Sequence, residues 1–255
     1  MRSSILLFGI VALTMMGCRK DEPVPPVEEE GRTSWLTVTY APFWEGVAFD
    51  KYAVYHDVLD HRVQVQGFKF YLAKARAKRP DGTWEDLFNV DLLDLLNGPK
   101  SRSYALPPGT YTDLEWGIGL PPDLNHTDPV TYPAEHPLGF AQGMWWSWAD
   151  AYRFVIFDGR FDTDPNGTEV PPPGQFSIHT GLDTCYRAGQ YDISGTTVPD
   201  SGYAHLEMRI DLAHFLYSAS DTIDLQIDNQ AHGGNVDLAT RLSDNVRDAI
   251  TVSTQ

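Results

Sequence analysis

Along most of the chain apolar and polar residues alternate in short runs, the period of a strand with one buried face. In "SWLTVTY", Leu36, Val38 and Tyr40 share a face. "VQVQGFKFYLAKARAK" carries Val63 and Val65, then Phe68, Phe70 and Leu72, and its phase changes around Gly67. That change predicts a bulge at the glycine. "HLEMRIDL" puts Leu206, Met208, Ile210 and Leu212 inward, and "DTIDLQID" puts Ile223, Leu225 and Ile227 inward with Asp224 and Gln226 outward. Turn residues separate the runs at Pro80 to Gly82, Pro107 to Gly109, Asn166-Gly167 and Pro171 to Gly174. Only two segments have helical spacing. One is the short "NVDLLDLLN"; the other is "NVDLATRLSDNVRDAI", where Val236, Leu238, Leu242, Val246 and Ile250 form an apolar stripe. The expected fold is all-β, an antiparallel β-sandwich or barrel-like domain with minor short helices, and there is no internal repeat.

The N-terminus follows a different pattern. Arg2 precedes an uncharged apolar run from Ile5 to Met15, closed by Gly17 and Cys18. Such a run is too short to span a bilayer and has the length of a signal-peptide core. A small residue followed by cysteine resembles the lipobox of bacterial lipoproteins, which implies removal of residues 1–17 and a lipid on Cys18. The expected location is the outer membrane or cell surface, held by the lipid anchor and facing periplasm or exterior. Cys18-Arg19-Lys20-Asp21-Glu22 also resembles the basic-then-acidic tag of some surface-exported lipoproteins. Residues 18–33 are rich in proline and charge, so they bury too little to offset ordering and read as a tether. Residues 34–255, about 220 in all, suit a single β domain.

Charge narrows the partners. With 19 basic against 35 acidic residues the net charge is −16, and no basic patch exists, which argues against nucleic acid. If Cys18 carries lipid, Cys185 is the one remaining thiol and no intrachain disulfide can form. Burial is the favoured reading of that thiol, ahead of a role as a soft metal ligand. There is no G-x-S-x-G elbow, H-E-x-x-H, P-loop or carboxylate-pair motif, so the chain is not expected to be an enzyme.

Metal-binding chemistry has more material. Reduced copper favours imidazole, thioether and thiolate donors, whereas carboxylates suit harder ions. Of eight histidines, His56 and His61 read as surface residues and His205 and His214 as structural. His126, His136, His179 and His232 lie in turn-rich segments, where sites are usually built. For each of these four the competing reading is a loop histidine bonded to backbone. Met144 is a further soft donor, though methionine beside tryptophans commonly packs a core. In "MWWSW", strand alternation puts Trp146 and Trp148 on one face and Trp145 on the other. "DTDPNGTE" starts like a calcium loop with Asp162, Asp164 and Asn166, but position 12 would be Pro173 instead of glutamate. An Asp-rich turn is the preferred reading there.

Several of these pieces recur in order. They are "VQVQGFKFYLAKARAKRPDGTW", "LPPGTYTDLEWGIGLPPDLNHTDP", "HPLGFAQGMWWSWADAYRFVIFDG", "FSIHTGLDTC" and, later, His232 followed by the helix with "SDNVRDAI". This succession resembles the MbnP-like proteins, extracytoplasmic lipoproteins related to the copper-binding partner of methanobactin systems. The resemblance implies a β-rich fold and one bound copper, as Cu(I), with His179, His232, His136 and His126 as the matching candidate ligands. It also implies that a partner di-haem peroxidase oxidises a tryptophan, here Trp146 or Trp148, to kynurenine, which joins the metal site. One departure stands out: Ala149-Asp150-Ala151-Tyr152 occupies the place where many members have Asn-x-Gly-Tyr. The expected function is copper acquisition or handling outside the cytoplasm. The alternatives are a non-metal module stacking a glycan on exposed Trp145, Trp84 and Trp116, and a purely structural surface lipoprotein.

Overall fold

Alternation in the sequence becomes strand almost throughout the computed structural model, which describes residues 33–147, 149 and 151–254. Residues 1–32, which include the signal segment and Cys18, and also Trp148, lie outside the described residues. The strands before the tryptophan run are β1 (Ser34–Trp44), β2 (Val47–Ala48), β3 (Tyr55–His56), β4 (Arg62–Lys78), β5 (Trp84–Asp94), β6 (Lys100–Ala105) and β7 (Gly109–Ile118). Those from it onward are β8 (Trp145–Ser147), β9 (Ala151–Asp162), β10 (Gly174–Gly181), β11 (Arg187–Val198), β12 (Gly202–Asp211), β13 (Gln230–His232) and β14 (Ile250–Thr254). The α-helices among the described residues are α1 (Pro122–Asn125) and α2 (Val236–Asp248).

These strands make two open sheets facing each other, so the sandwich is formed and the barrel is not. The smaller runs β14-β12-β1, with β2 and β6 also on β1. The larger runs β11-β7-β4-β9-β10-β13, with β3 and β5 on β4 and β8 on β9. Two pairings, β1 with β12 and β10 with β13, are parallel, and all others in these ladders are antiparallel. The 17-residue β4 is long enough to meet β9 along Arg62–Phe70 and β7 along Leu72–Lys78. Its ladder with β9 slips between Val65 and Gly67, where the phase change predicted a bulge.

The inward positions are those the alternation marks. Leu36, Val38 and Tyr40 of β1 and Leu206, Met208 and Ile210 of β12 are fully buried, against Val63, Phe68 and Phe70 of β4 and Ile178 of β10 in one core. Phe215, just after β12, touches both Phe68 and Phe157 with ring centroids 5.4 and 5.1 Å away. Full burial of one such ring contributes about 1.5–3 kcal/mol. Leu238, Leu242 and Val246 bury the stripe of α2, while Ile250 begins β14.

Three expectations need correction. "NVDLLDLLN" is mostly strand: β5 pairs with β4 from Lys69↔Asp94 to Lys78↔Trp84, and this long-range ladder overrides a local helical spacing. "DTIDLQID" is a turn, because Asp224 accepts the Gln226 N–H on its side chain and the Ile227 and Asp228 N–H groups on its carbonyl. The reversal leaves Ile227 76% exposed while Ile223 and Leu225 stay buried. His61 is buried as well, with Nδ1 3.3 Å from the carboxylate of Asp57.

Candidate metal centre

The larger sheet ends in β9, β10 and β13, and the register of these three strands builds the site. Ser177 of β10 lies directly across from Asp158 of β9, and His179 follows two residues along β10 on the same face. On the other side of β10, His232 of β13 is the register partner of His179. β13 is held by the Ser177 N–H donating to the Asn229 carbonyl. Gly233 then takes a left-handed φ of +77°, which turns the chain into α2, whose Asn235 side chain caps Leu238.

The polar atoms of this corner form a closed cluster. Ser177 Oγ donates to Asp158 Oδ1 at 2.6 Å, and His179 Nε2 lies 2.9 Å from the same oxygen. His232 Nε2 lies 2.7 Å from Ser177 Oγ, with His179 Nε2 at 3.2 Å. Partial burial disfavours ionisation of Asp158, but the bonds from His179 and Ser177 outweigh it and hold the carboxyl below its ordinary range. Burial, and then the neighbouring His179 and Arg153, push His232 below its ordinary value against the pull of Asp158. At neutral pH Asp158 is therefore ionised and His232 neutral.

Trp146 closes the site. β8 folds back on β9 through an irregular pairing, Trp145↔Tyr152 and Ser147↔Ala151. Trp145 lies edge-on to Tyr152, whereas Trp146 turns to the imidazoles, 6.0 Å from His179 and 6.1 Å from His232 between centroids. The Arg153 guanidinium stands 5.5 Å from the Trp146 ring centre. A small pocket opens beside these rings, lined by Trp146, His179, Leu182, Gly233, Asn235 and Val236. Asp158, Ser177 and His232 are not part of its wall.

The other candidates go elsewhere. His136 accepts the Leu138 N–H on Nδ1, stacks on Tyr132 and is pushed below its ordinary value by burial. His126 pairs with Asp183 at 3.0 Å. Neither has a hydrogen bond or ring contact with His179, His232 or Trp146. Met144 is fully buried in the core and Cys185 is a buried free thiol. Asp162 and Asp164 cap the N–H groups of Asp164 and Asn166 in successive turns, with Arg62 on Asp162. Of the aromatics considered for glycan stacking, Trp116 is 1% exposed, Trp84 is covered by Arg76 and Lys78, and Trp145 packs on Tyr152.

Ser177, His232 and Asp158 are the residue types of a hydrolase triad, but their order differs. Asp158 takes the serine proton instead of orienting the far nitrogen of His232, so no base is aimed at the hydroxyl. Among the described residues, no three His, Cys, Asp or Glu side chains form a group suited to a metal ion. What the corner provides is two imidazoles beside an indole, and imidazole is a donor that suits zinc, copper, iron or nickel. Sequence reasoning missed Asp158, Ser177 and Arg153. Ser177 was within reach, since the Ser177-x-His179 spacing in a strand puts both on one face; Asp158 depends on strand register.

Fold and site together define a two-sheet β protein with a histidine pair near one sheet edge, beside an indole. The chain belongs to the MbnP family, whose family model matches residues 33–240. Among solved structures, MbnP from Methylosinus trichosporium has a TM-score of 0.52 at 14% identity over 86% of this chain and 98% of that one. At that identity the likeness is one of fold. No curated protein matches the sequence.

Proposed function

We propose that this protein binds copper outside the cytoplasm, as Cu(I), between His179 and His232 and beside Trp146. The observation that carries the reading is the register pairing of the two histidines with Trp146 near 6 Å from both rings. Two imidazoles suit Cu(I), and membership of the MbnP family supports a methanobactin-related, copper-associated role. Bound copper would supply a soft centre for transfer to a recipient. The chain's own part is to hold two rings at fixed spacing, keep His232 neutral and shelter the pair with Trp146.

In this reading Trp146 is the tryptophan that a di-haem peroxidase partner converts to kynurenine: two peroxides are reduced, the C2–C3 bond of the indole is cleaved, C2 leaves as formate, and the residue keeps one added oxygen. A lipid on Cys18 would keep the domain at the outer membrane or cell surface, as suits acquisition or handling of copper. The glycan alternative loses support because Trp116 is buried and Trp84 is covered. The test is copper analysis and intact mass of the protein purified from its own host without chelators. One copper per chain is expected, with the kynurenine mass change mapping to Trp146 when the peroxidase is present. Protein that retains no copper even with that partner overturns the proposal.

A further inference from the structure

Asp158 and Ser177 are the polar residues in contact with the histidine pair, and their hydrogen bonds can be counted. An ionised carboxylate only accepts, so the His179 nitrogen 2.9 Å from Asp158 Oδ1 carries a proton. The one hydroxyl proton of Ser177 goes to Asp158, so the His232 nitrogen 2.7 Å from Ser177 Oγ carries a proton too. Both atoms are Nε2. In neutral rings the Nδ1 atoms are then bare acceptors, and neither makes a hydrogen bond with a described residue.

We propose that Asp158 and Ser177 are positioning residues that lock both imidazoles as Nε2–H tautomers, so that His179 and His232 present Nδ1 to copper. The proposal rests on the two-histidine reading above and adds which nitrogens ligate and what orients them. The Nε2–H and Oγ–H protons fill the contacts of 2.6 to 2.9 Å among Nε2, Oγ and Oδ1, so an ion could be held there only after those protons are displaced. The small pocket beside the rings is lined by His179, Trp146 and Gly233, while Asp158, Ser177 and His232 are not in its wall. A carboxylate on the far N–H of a ligating histidine fixes ring orientation and raises the basicity of the ligating nitrogen. Here Ser177 extends one carboxylate to two rings. Gly67 supports the arrangement from β4, since a Cβ there would stand 3.0 Å from the Asp158 Cβ.

The experiment is long-range proton–nitrogen NMR on the full chain with 15N-labelled histidine, metal-free and then loaded with Cu(I) from its acetonitrile complex. Both rings are expected as Nε2–H tautomers before loading; after it the Nδ1 signals move and the Nε2 protons remain. An Nδ1–H tautomer before loading, or loss of an Nε2 proton on loading, overturns this proposal alone. Imidazole signals that ignore copper overturn the site itself and this proposal with it. Asp158→Ala is expected to weaken Cu(I) binding about 10- to 100-fold, with partial recovery in Asp158→Asn, which still accepts through Oδ1. Unchanged affinity in Asp158→Ala, with strand signals intact, removes the positioning role.

Discussion

His179 and His232 are register partners on neighbouring parallel strands, and their ring centroids stand 4.9 Å apart. That separation is close to the distance between hydrogen-bonded strands, about 4.8 Å. The backbone therefore sets the spacing of the pair, and changes that shift strand β9, β10 or β13 should alter the site before they unfold the domain.

Gly67→Ala tests this from the far side of β9. The added methyl meets Asp158 Cβ at 3.0 Å and Oδ2 at 3.2 Å, so the carboxylate must move. Overpacking of this kind costs about 1–3 kcal/mol. Urea unfolding should show a loss toward the low end, and Cu(I) affinity should fall by less than in Asp158→Ala. A stability loss with unchanged affinity would mean that the place of Asp158 does not matter to the metal.

Ala151 has a φ of +56°, a left-handed conformation that favours glycine. Glycine, which the resemblance to MbnP-like proteins leads one to expect at this position, would adopt that conformation without a steric penalty. Relief of that conformation, about 1–2 kcal/mol, is offset by the added chain entropy of glycine, about 0.5–1 kcal/mol. Ala151→Gly should leave the thermal midpoint unchanged or slightly raised, and Ala151→Val should lower stability by about 1–3 kcal/mol. A glycine variant less stable by more than about 1 kcal/mol would contradict the assignment of strain.

Acidification should weaken the fold in a defined order. Burial holds His136 and His232 below 6.5, so as pH falls through 6.5 the unfolded chain takes up these protons first. Stability falls between 6.5 and the lowered native values, then levels off for these two groups. Asp158 adds stability that is present above 3.8 and lost as pH falls through its lowered native value. Urea titrations at about pH 7 and about pH 5 should give a lower midpoint at the acid value. His136→Asn, which can still accept the Leu138 N–H, should show a smaller drop. An equal or higher midpoint at acid pH would refute the direction.

Arg153 should restrain oxidation of Trp146. Removing an electron from the indole leaves a cation facing the guanidinium 5.5 Å away. A cation–π contact is worth about 1 kcal/mol, so Arg153→Gln should speed modification of Trp146 by roughly fivefold in an intact-mass time course with peroxide and the haem partner. Slower modification would show that Arg153 assists the step.

The strands were legible because their buried faces repeat every second residue, as Leu36, Val38 and Tyr40 do. The segment 89–97 was misread because its leucines also fit a helical period, and only pairing with β4 decides between the two. His179 and His232 could be counted among four candidates by their turn-rich segments and by the resemblance to MbnP-like proteins. That they become register partners follows from a parallel pairing between segments 53 residues apart (232 − 179), which no local pattern encodes. For the same reason Asp158 passed unnoticed within "FVIFDGRFD", an apolar strand whose carboxylate gains meaning only opposite Ser177.

The central claim is that His179 and His232 together hold the metal, and competition for Cu(I) against a coloured chelator measures it directly. The wild-type chain should take up one equivalent tightly. His179→Ala and His232→Ala should each lose at least about 100-fold in affinity, beyond the ~10–100-fold of an outer partner, while His126→Ala and His136→Ala stay close to wild type. Wild-type affinity in the His179→Ala/His232→Ala double variant would contradict the account.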